Sequence, residues 1–334
     1  MSVLISVLIP VYNVEKYIEQ CAVSLFKNTI ADKCEFIFTN DCSSDNSIQV
    51  LNKVILQYPN LKHNIHIIHH NMNKGLATTR NTSFEKAIGK YIICTDSDDW
   101  VEPDYLEELL KKAEEMDADI VGCDYYKHID NKKEYIQHYL QNTSKAVFLD
   151  YCHNKIDSYL WIKLIKRNFL LENNIKWKDG IDMWEDVLLF NTILSHNPRI
   201  AYINKALYHY RLRNNSYISN IINEKKFNNM IYVVNTIDSI VLNTNDKELI
   251  NAFSFKKFTI KNMMIFDGSK QIQRKSICLF PETYNFINYP NNECGFKRKF
   301  ILKIHHHFPS FGLKILYFFT SLKKITNKKY KTYE

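Results

Sequence analysis

Residues 5–123 alternate short β-branched runs with helical stripes, a pattern that few architectures accept. Residues 5–12 read as a strand, and residues 15–28 follow with Tyr17, Ile18, Cys21 and Leu25 on one helical stripe. The same alternation gives strands at 34–41, 65–69, 91–96 and 118–123, with helices at 47–57, 78–88 and 104–116 between them. Strand, helix, strand in succession implies parallel crossovers. The expected fold class is therefore α/β, a mostly parallel, Rossmann-like sheet flanked by helices on both faces. Near-continuous apolar strands fit burial on both faces. Beyond Ser216 the pattern is mainly helical, which predicts a helical C-terminal extension.

Composition removes several alternatives. Only 7 Gly and 7 Pro in 334 residues argue against a loop-rich all-β fold. The eight cysteines are scattered without a C-x-x-C pair, so neither a zinc site nor a secretory disulfide framework is expected. Residues 3–11 read as a strand rather than a signal core, and no run reaches the roughly 18 apolar residues that span a bilayer. These points lead to the expectation of a cytoplasmic protein.

In α/β sheets, ligands bind where strands end at their carboxyl side, and the polar clusters of this chain fall there. The segment GKYIICTDSDDW (89–100) sets Asp96, Asp98 and Asp99 within four positions. Three like charges so close are unfavourable unless they are solvated or hold a cation. A D-x-D pair suits a hard divalent ion, Mn2+ or Mg2+, which binds through one or two carboxylates and substrate phosphates. Equally, Asp98 and Asp99 could cap the next helix or face solvent. Asp41, at the end of the second strand, is placed to accept from a ring N–H or to shape an ordinary turn. Arg80, just inside a helix after Gly75, could reach a phosphate or a carboxylate of the aspartate cluster.

Seven segments in this order carry a resemblance: SVLIPVYN (6–13), NDCSSDNS (40–47), NKGLATTRN (73–81), TDSDDW (95–100), WIKLIK (161–166), WEDVLLF (184–190) and LYHYRLRNNSYIS (207–219). The set resembles the inverting family 2 glycosyltransferases, whose catalytic domain has the GT-A fold. The resemblance implies a catalytic domain over 1–219 and a helical, basic region over 220–334. It also implies a nucleotide-sugar donor, most simply a UDP-sugar, and a glycan or lipid-linked oligosaccharide acceptor. Pro10, Tyr12 and Asp41 would then hold the base, with Asp41 facing a uracil N–H. Arg80 would lie beside the diphosphate, Asp96 would meet the ribose or the metal, and Asp98 would ligate Mn2+ or Mg2+. The acceptor hydroxyl needs a carboxylate base, for which the similarity points to Asp186, then Glu185, with Asp182 third. The Glu185–Asp186 pair also reads as an acidic helix N-terminus. Trp161 and Lys163 would line the acceptor or the phosphates, or else belong to the core. His209 would reach the metal or a phosphate, or else be structural. One departure stands out. Cys42 takes the place of a family glycine, and a cysteine does not adopt positive φ cheaply, so a reshaped turn is expected there.

Net charge is +8, and residues 296–333 hold ten Lys or Arg with no Asp or Glu. Within them, Phe311, Ile315, Phe318, Leu322 and Ile325 form a helical stripe opposite Lys314 and Lys324. Such a helix suits an anionic membrane surface or packing on the catalytic domain. No nucleic-acid module accompanies the charge, so no nucleic acid is expected as a partner. A phosphotransferase would need an Asp nucleophile after the first strand, where this chain has Pro10-Val11-Tyr12. A dinucleotide oxidoreductase would need G-x-G-x-x-G there. A non-catalytic binding protein on the same fold stays as the other reading.

Overall fold

The computed structural model describes residues 3–130, 132–212, 222–288 and Lys303. Strands β1 (Ile5–Val11), β2 (Cys34–Asn40), β3 (Ile65–His69) and β4 (Tyr91–Cys94) lie parallel in the order β3-β2-β1-β4. Helices α1 (Ile18–Phe26), α2 (Ser47–Ile55) and α3 (Leu76–Lys86) make the crossovers. Helix α1 starts at Ile18, three residues after the expected start at residue 15, because another loop satisfies the preceding amides. Val14 N donates to Ser47 Oγ (2.8 Å) and Glu15 N to Asp45 Oδ2 (2.9 Å).

Beyond β4 the sheet is mixed rather than parallel. Strand β8 (Lys163–Lys166) runs antiparallel to both β4 and β6 (Ile120–Ile129). Strand β9 (Ile200–Arg211) is parallel to β6 and carries the two-residue β5 (Trp100–Val101) antiparallel on its other edge. A hairpin adds β7 (Lys132–Ile136) to β6. The N-terminal half therefore has the expected parallel crossovers. The second half is assembled by long-range pairing that no local pattern announces.

Two apolar layers enclose the sheet. On one face, α1, α2 and α4 (Tyr105–Glu115) cover the strands, with Phe26 edge-on to Phe36 (5.2 Å) and to Tyr58 (5.3 Å). The other face is covered by α3, α5 (Ser144–Cys152), α6 (Arg167–Glu172), α7 (Glu185–Ser195), α8 (Glu224–Asn243) and α9 (Lys247–Asp267). Phe227, Met230, Val233, Val234 and Ile237 of α8 share one core with Leu8 and Ile37 of the sheet. A fully buried side chain of this size contributes about 1.5–3 kcal/mol, and a whole domain is stable by only about 5–15 kcal/mol. Stripping α8 from the sheet would thus cost as much as the fold's net stability. The expected division at 219/220 falls in 213–221, and the basic stripe at 311–325 also lies outside the described residues. Among the described residues, no helix is long and apolar enough to cross a membrane.

Candidate active site

Arg80 organises the carboxyl edge of the sheet. Gly75, at φ +88°, opens α3 and sets Arg80 facing inward, where only 3% of its surface is exposed. Its Nη1 donates to Glu185 Oε1 (2.5 Å) and its Nη2 to Asp96 Oδ1 (3.1 Å). One guanidinium therefore joins the segment after β4 to the acid pair that opens α7, residues 105 positions away in sequence. Burial would lower the Arg80 pKa, but Glu185 and Asp96 overcome it and push the value up. Arg80 therefore stays charged.

The acid pair sits on a strained turn. Trp184, the residue before α7, has φ +66°, a conformation bulky side chains rarely adopt and one that clusters at functional sites. Burial and the charge of Asp186 raise the Glu185 carboxyl, while Arg80 draws it back. Asp186 is also raised, by burial above all, against the pull of Arg80, the Val187 amide and Lys163. Its Oδ1 accepts from Val187 N (2.7 Å), and its side chain is partly accessible.

The three aspartates of the D-x-D segment have separate surroundings. Asp96 is bound to Arg80 with 30% of its side chain exposed, and Asp98 is partly exposed. Asp99 is buried: its Oδ2 accepts from the Tyr208 hydroxyl (3.0 Å) and its Oδ1 from Arg211 N (2.7 Å). Burial and the charges of Asp98 and Asp96 hold its carboxyl well above the ordinary aspartate range. Asp99 thus ties this segment to β9, and the two remaining carboxylates keep part of their surface exposed. Among the described residues, no three His, Cys, Asp or Glu side chains converge on a metal position. A cation held by one or two carboxylates and by phosphates does not need a third. Asp96, Asp98, Glu185 and Asp186 also outnumber Arg80, the guanidinium that binds two of them, so the donor set fits Mn2+ or Mg2+.

Several expected contacts are placed differently. Asp41 is turned inward. Its Oδ1 accepts from Lys74 N (2.8 Å) and lies 2.8 Å from His70 Nδ1, while its Oδ2 accepts from Gly75 N (2.9 Å). In this arrangement it shapes the turn leading to α3 rather than presenting an oxygen to a base. His70 is the buried partner in that turn and also meets Thr82 Oγ1 at 3.0 Å. Cys42 takes φ +62° after all, so the turn keeps a glycine-type backbone and the strain falls on the cysteine. Pro10 is partly buried at the end of β1, and Tyr12, beyond it, is 51% exposed.

Trp161, Lys163 and His209 are interior. Trp161 stacks on Tyr208 (4.5 Å) and Tyr159 (4.8 Å). Lys163 is fully buried, with Nζ donating to Tyr159 O (2.6 Å) and lying over the Phe190 ring. Burial lowers its amine to about 7, against the pull of Asp186 and Asp157. His209 lies 2.9 Å from both Glu102 Oε1 and His128 Nε2 and stacks on Trp100. None of the three presents a group toward a ligand at this edge. A cavity of about 660 Å3, lined by Asn13, Lys16, Tyr17, Trp100, His128 and Arg211, opens instead on the α1 side of the D-x-D segment. Its sequence signals were Trp100, which directly follows the aspartates, and Asn13 and Arg211, which fall in the segments 6–13 and 207–219.

Residues 6–184, more than half of the chain, match the family model described as glycosyl transferase family 2. The chain belongs to that family. This family 2 chain is 30% identical over 220 residues to EpsJ of Bacillus subtilis, described as an uncharacterized glycosyltransferase. The match covers 64% of the chain and 62% of EpsJ, so less than two thirds of that relative is spanned. Staphylococcus aureus TarS 1-349, solved with UDP-GlcNAc, superposes with a TM-score of 0.69 at 20% identity, covering 84% of this chain and 81% of that one. The mannosyltransferase PcManGT of Pyrobaculum calidifontis, solved with GDP-Man and Mn2+, gives a TM-score of 0.51 at 13% identity, with 92% and 88% covered. At these identities the two structures bear on the fold alone. It is the expected GT-A type, a sheet flanked by helices with a helical C-terminal region.

Proposed function

We propose that this family 2 chain moves a sugar from a UDP-sugar to an acceptor hydroxyl with inversion, in the synthesis of a surface polysaccharide or oligosaccharide. The observation that carries the reading is the Arg80 bridge, which brings the D-x-D segment and the Glu185–Asp186 pair to one strand edge. Family membership and the UDP-GlcNAc bound to TarS favour the donor class. Tyr12, exposed beyond β1, is available to the base, with Pro10 beside it.

In the reaction, the acceptor oxygen attacks the anomeric carbon from the face opposite the diphosphate. The bond from that carbon to the phosphate oxygen breaks, and its electron pair leaves with the diphosphate. The hydroxyl proton passes to a carboxylate. Glu185 is committed to Arg80, so the base is Asp186, whose raised pKa matches it better to neutral operation. Asp98 and Asp96 would hold Mn2+ or Mg2+, which when bound supplies positive charge to the leaving diphosphate. Arg80 keeps Asp96 and Glu185 in register rather than offering itself to solvent. The basic stretch at 296–333 favours an acceptor or surface that is anionic, such as a lipid-linked oligosaccharide at a membrane.

A thermal-shift panel of UDP, GDP, dTDP and CDP, each with Mn2+ or with chelator, tests the reading. A ligand at a hundredfold its Kd stabilises by about 2.7 kcal/mol. The expected result is a Mn2+-dependent shift with UDP that Asp98→Asn abolishes. A folded protein that responds to none of the four overturns the proposal.

A further inference from the structure

Helix α8 lies in the C-terminal helical region, yet it grips the loop that delivers the acid pair. Asn229 Oδ1 accepts from both Asp182 N (3.0 Å) and Met183 N (3.3 Å), and its Nδ2 donates to Gly180 O (3.2 Å). One turn earlier on α8, Lys225 Nζ pairs with Asp182 Oδ2 at 2.8 Å. The other Asp182 oxygen faces the first turn of α3, 3.4 Å from Ala77 N, so the grip extends to the helix that carries Arg80. From the opposite side, Asn81, the neighbour of Arg80, holds Trp177 and Asp179 through three hydrogen bonds of 2.8–3.0 Å.

The loop needs such support. Gly180 has φ +80° and Trp184 has φ +66°, so the chain passes through the left-handed region twice within five residues. A bulky residue persists there only where its surroundings over-determine it. Asn229 is buried and satisfies three backbone groups between those two positions, ending one residue short of Trp184. A catalytic group misplaced by about 1 Å can cost on the order of a hundredfold in rate.

We infer that Asn229, supported by Lys225, is a positioning residue for the Glu185–Asp186 pair, which makes α8 a working part of the transferase site. The inference rests on the transferase reading for its kinetic consequence but not for its structural one. Asn229→Ala removes the acceptor of two amides. Asn229→Asp keeps that acceptor, replaces the donor to Gly180 with an oxygen and brings a carboxyl into a buried position. Lys225→Met changes a side chain that is 64% exposed and leaves the core intact.

Two readouts on the full chain separate the outcomes. The first is UDP release from UDP-GlcNAc, UDP-glucose and UDP-galactose in the absence of acceptor, read as kcat and KM across pH. The second is amide hydrogen exchange at 181–187, with Lys74 and Gly75, whose amides bind Asp41, as internal controls. Asn229→Ala should lower kcat about tenfold or more at unchanged donor KM and move the acid limb of the kcat profile. It should also speed exchange at 181–187 but not at 74–75. Asn229→Asp should recover most of kcat, and Lys225→Met should give the same split in smaller measure. Unchanged kcat with unchanged exchange overturns the inference. So does a parallel fall in kcat and donor affinity with exchange faster everywhere. If Asn229→Ala does not fold, Lys225→Met decides by the same criteria. If the unaltered protein releases no UDP from any donor and binds no nucleotide, the transferase reading fails. Exchange at 181–187 then decides the positioning role alone: faster supports it, unchanged refutes it.

Discussion

Replacing Arg80 with methionine keeps an unbranched apolar stem and removes the guanidinium with its charge. Glu185 loses a partner at 2.5 Å in a buried position, and Asp96 loses one at 3.1 Å while remaining nearly a third exposed. Breaking a buried ion pair by deleting one member costs about 3–5 kcal/mol, because the other charge is left without a partner. The Asp96 contact is partly screened by solvent and adds at most about 1 kcal/mol, so Glu185 dominates. At roughly 2 °C per kcal/mol for a chain of this size, Tm should fall by about 6–10 °C at pH 8. The pH dependence identifies the cause. In the unaltered protein, burial and Asp186 raise the Glu185 carboxyl while Arg80 lowers it. In Arg80→Met only the raising effects remain. A carboxyl raised in the folded state binds its proton more tightly there than in the unfolded chain. Stability is then fully present in acid and is lost as pH rises through the folded value. The difference in Tm between the two proteins should therefore be least on the acid side and grow as pH rises through about 8, the value to which Glu185 is already raised in the unaltered protein. Melting both proteins across pH 5–9 checks this. A difference under about 2 °C at pH 8, or one that does not vary with pH, would refute an Arg80 that neutralises a buried Glu185.

Two further outcomes follow from the same geometry. Asp186→Asn should lower kcat by about 10²–10⁴-fold while leaving the UDP thermal shift in place. In the unaltered enzyme, kcat should fall on the acid side at a pH above the ordinary aspartate range, since the raised base must be deprotonated to act; a variant within threefold of normal kcat would move the base role elsewhere. Gly75→Ala would drive a methyl carbon into the Asp182 carboxylate at φ +88°. Left-handed backbone and overpacking together should cost about 2–4 kcal/mol in urea unfolding, and a loss below about 1 kcal/mol would show that the Asp182 loop yields.

The parallel half of the fold was legible because its signals are local. Apolar runs at 5–12 and 34–41 and the stripes between them each specify an element within a dozen residues. The antiparallel half was not. β8 is four residues long and β5 only two, and their places depend on β6 and β9, which lie far away in sequence. The site divides in the same way. Motif order singled out Arg80, Asp96 and Glu185, and the structure brings these three together. What a motif does not encode is which way a side chain faces. Asp41 and Asp99 look alike in sequence to the partly exposed Asp98. Each instead meets backbone amides and a buried ring partner, His70 or Tyr208, that turn it inward. Lys163 went to the core because it opens β8, which lies between β4 and β6, and Trp161, just before that strand, because it stacks among Tyr159, Tyr208 and Tyr210.

The electrostatics of the edge explain why those inward turns matter. Five carboxylates lie near one guanidinium, and their mutual repulsion would oppose folding if all five were charged and close. Asp99 is removed from the balance by burial that raises its pKa and by the Tyr208 and Arg211 hydrogen bonds. Glu185 and Asp96 are balanced by Arg80. Asp98 and Asp186 remain, one partly exposed on the D-x-D segment and the other partly accessible on α7. Chemistry at this edge would thus use two carboxylates that keep part of their surface accessible, while Arg80 fixes their neighbours Asp96 and Glu185.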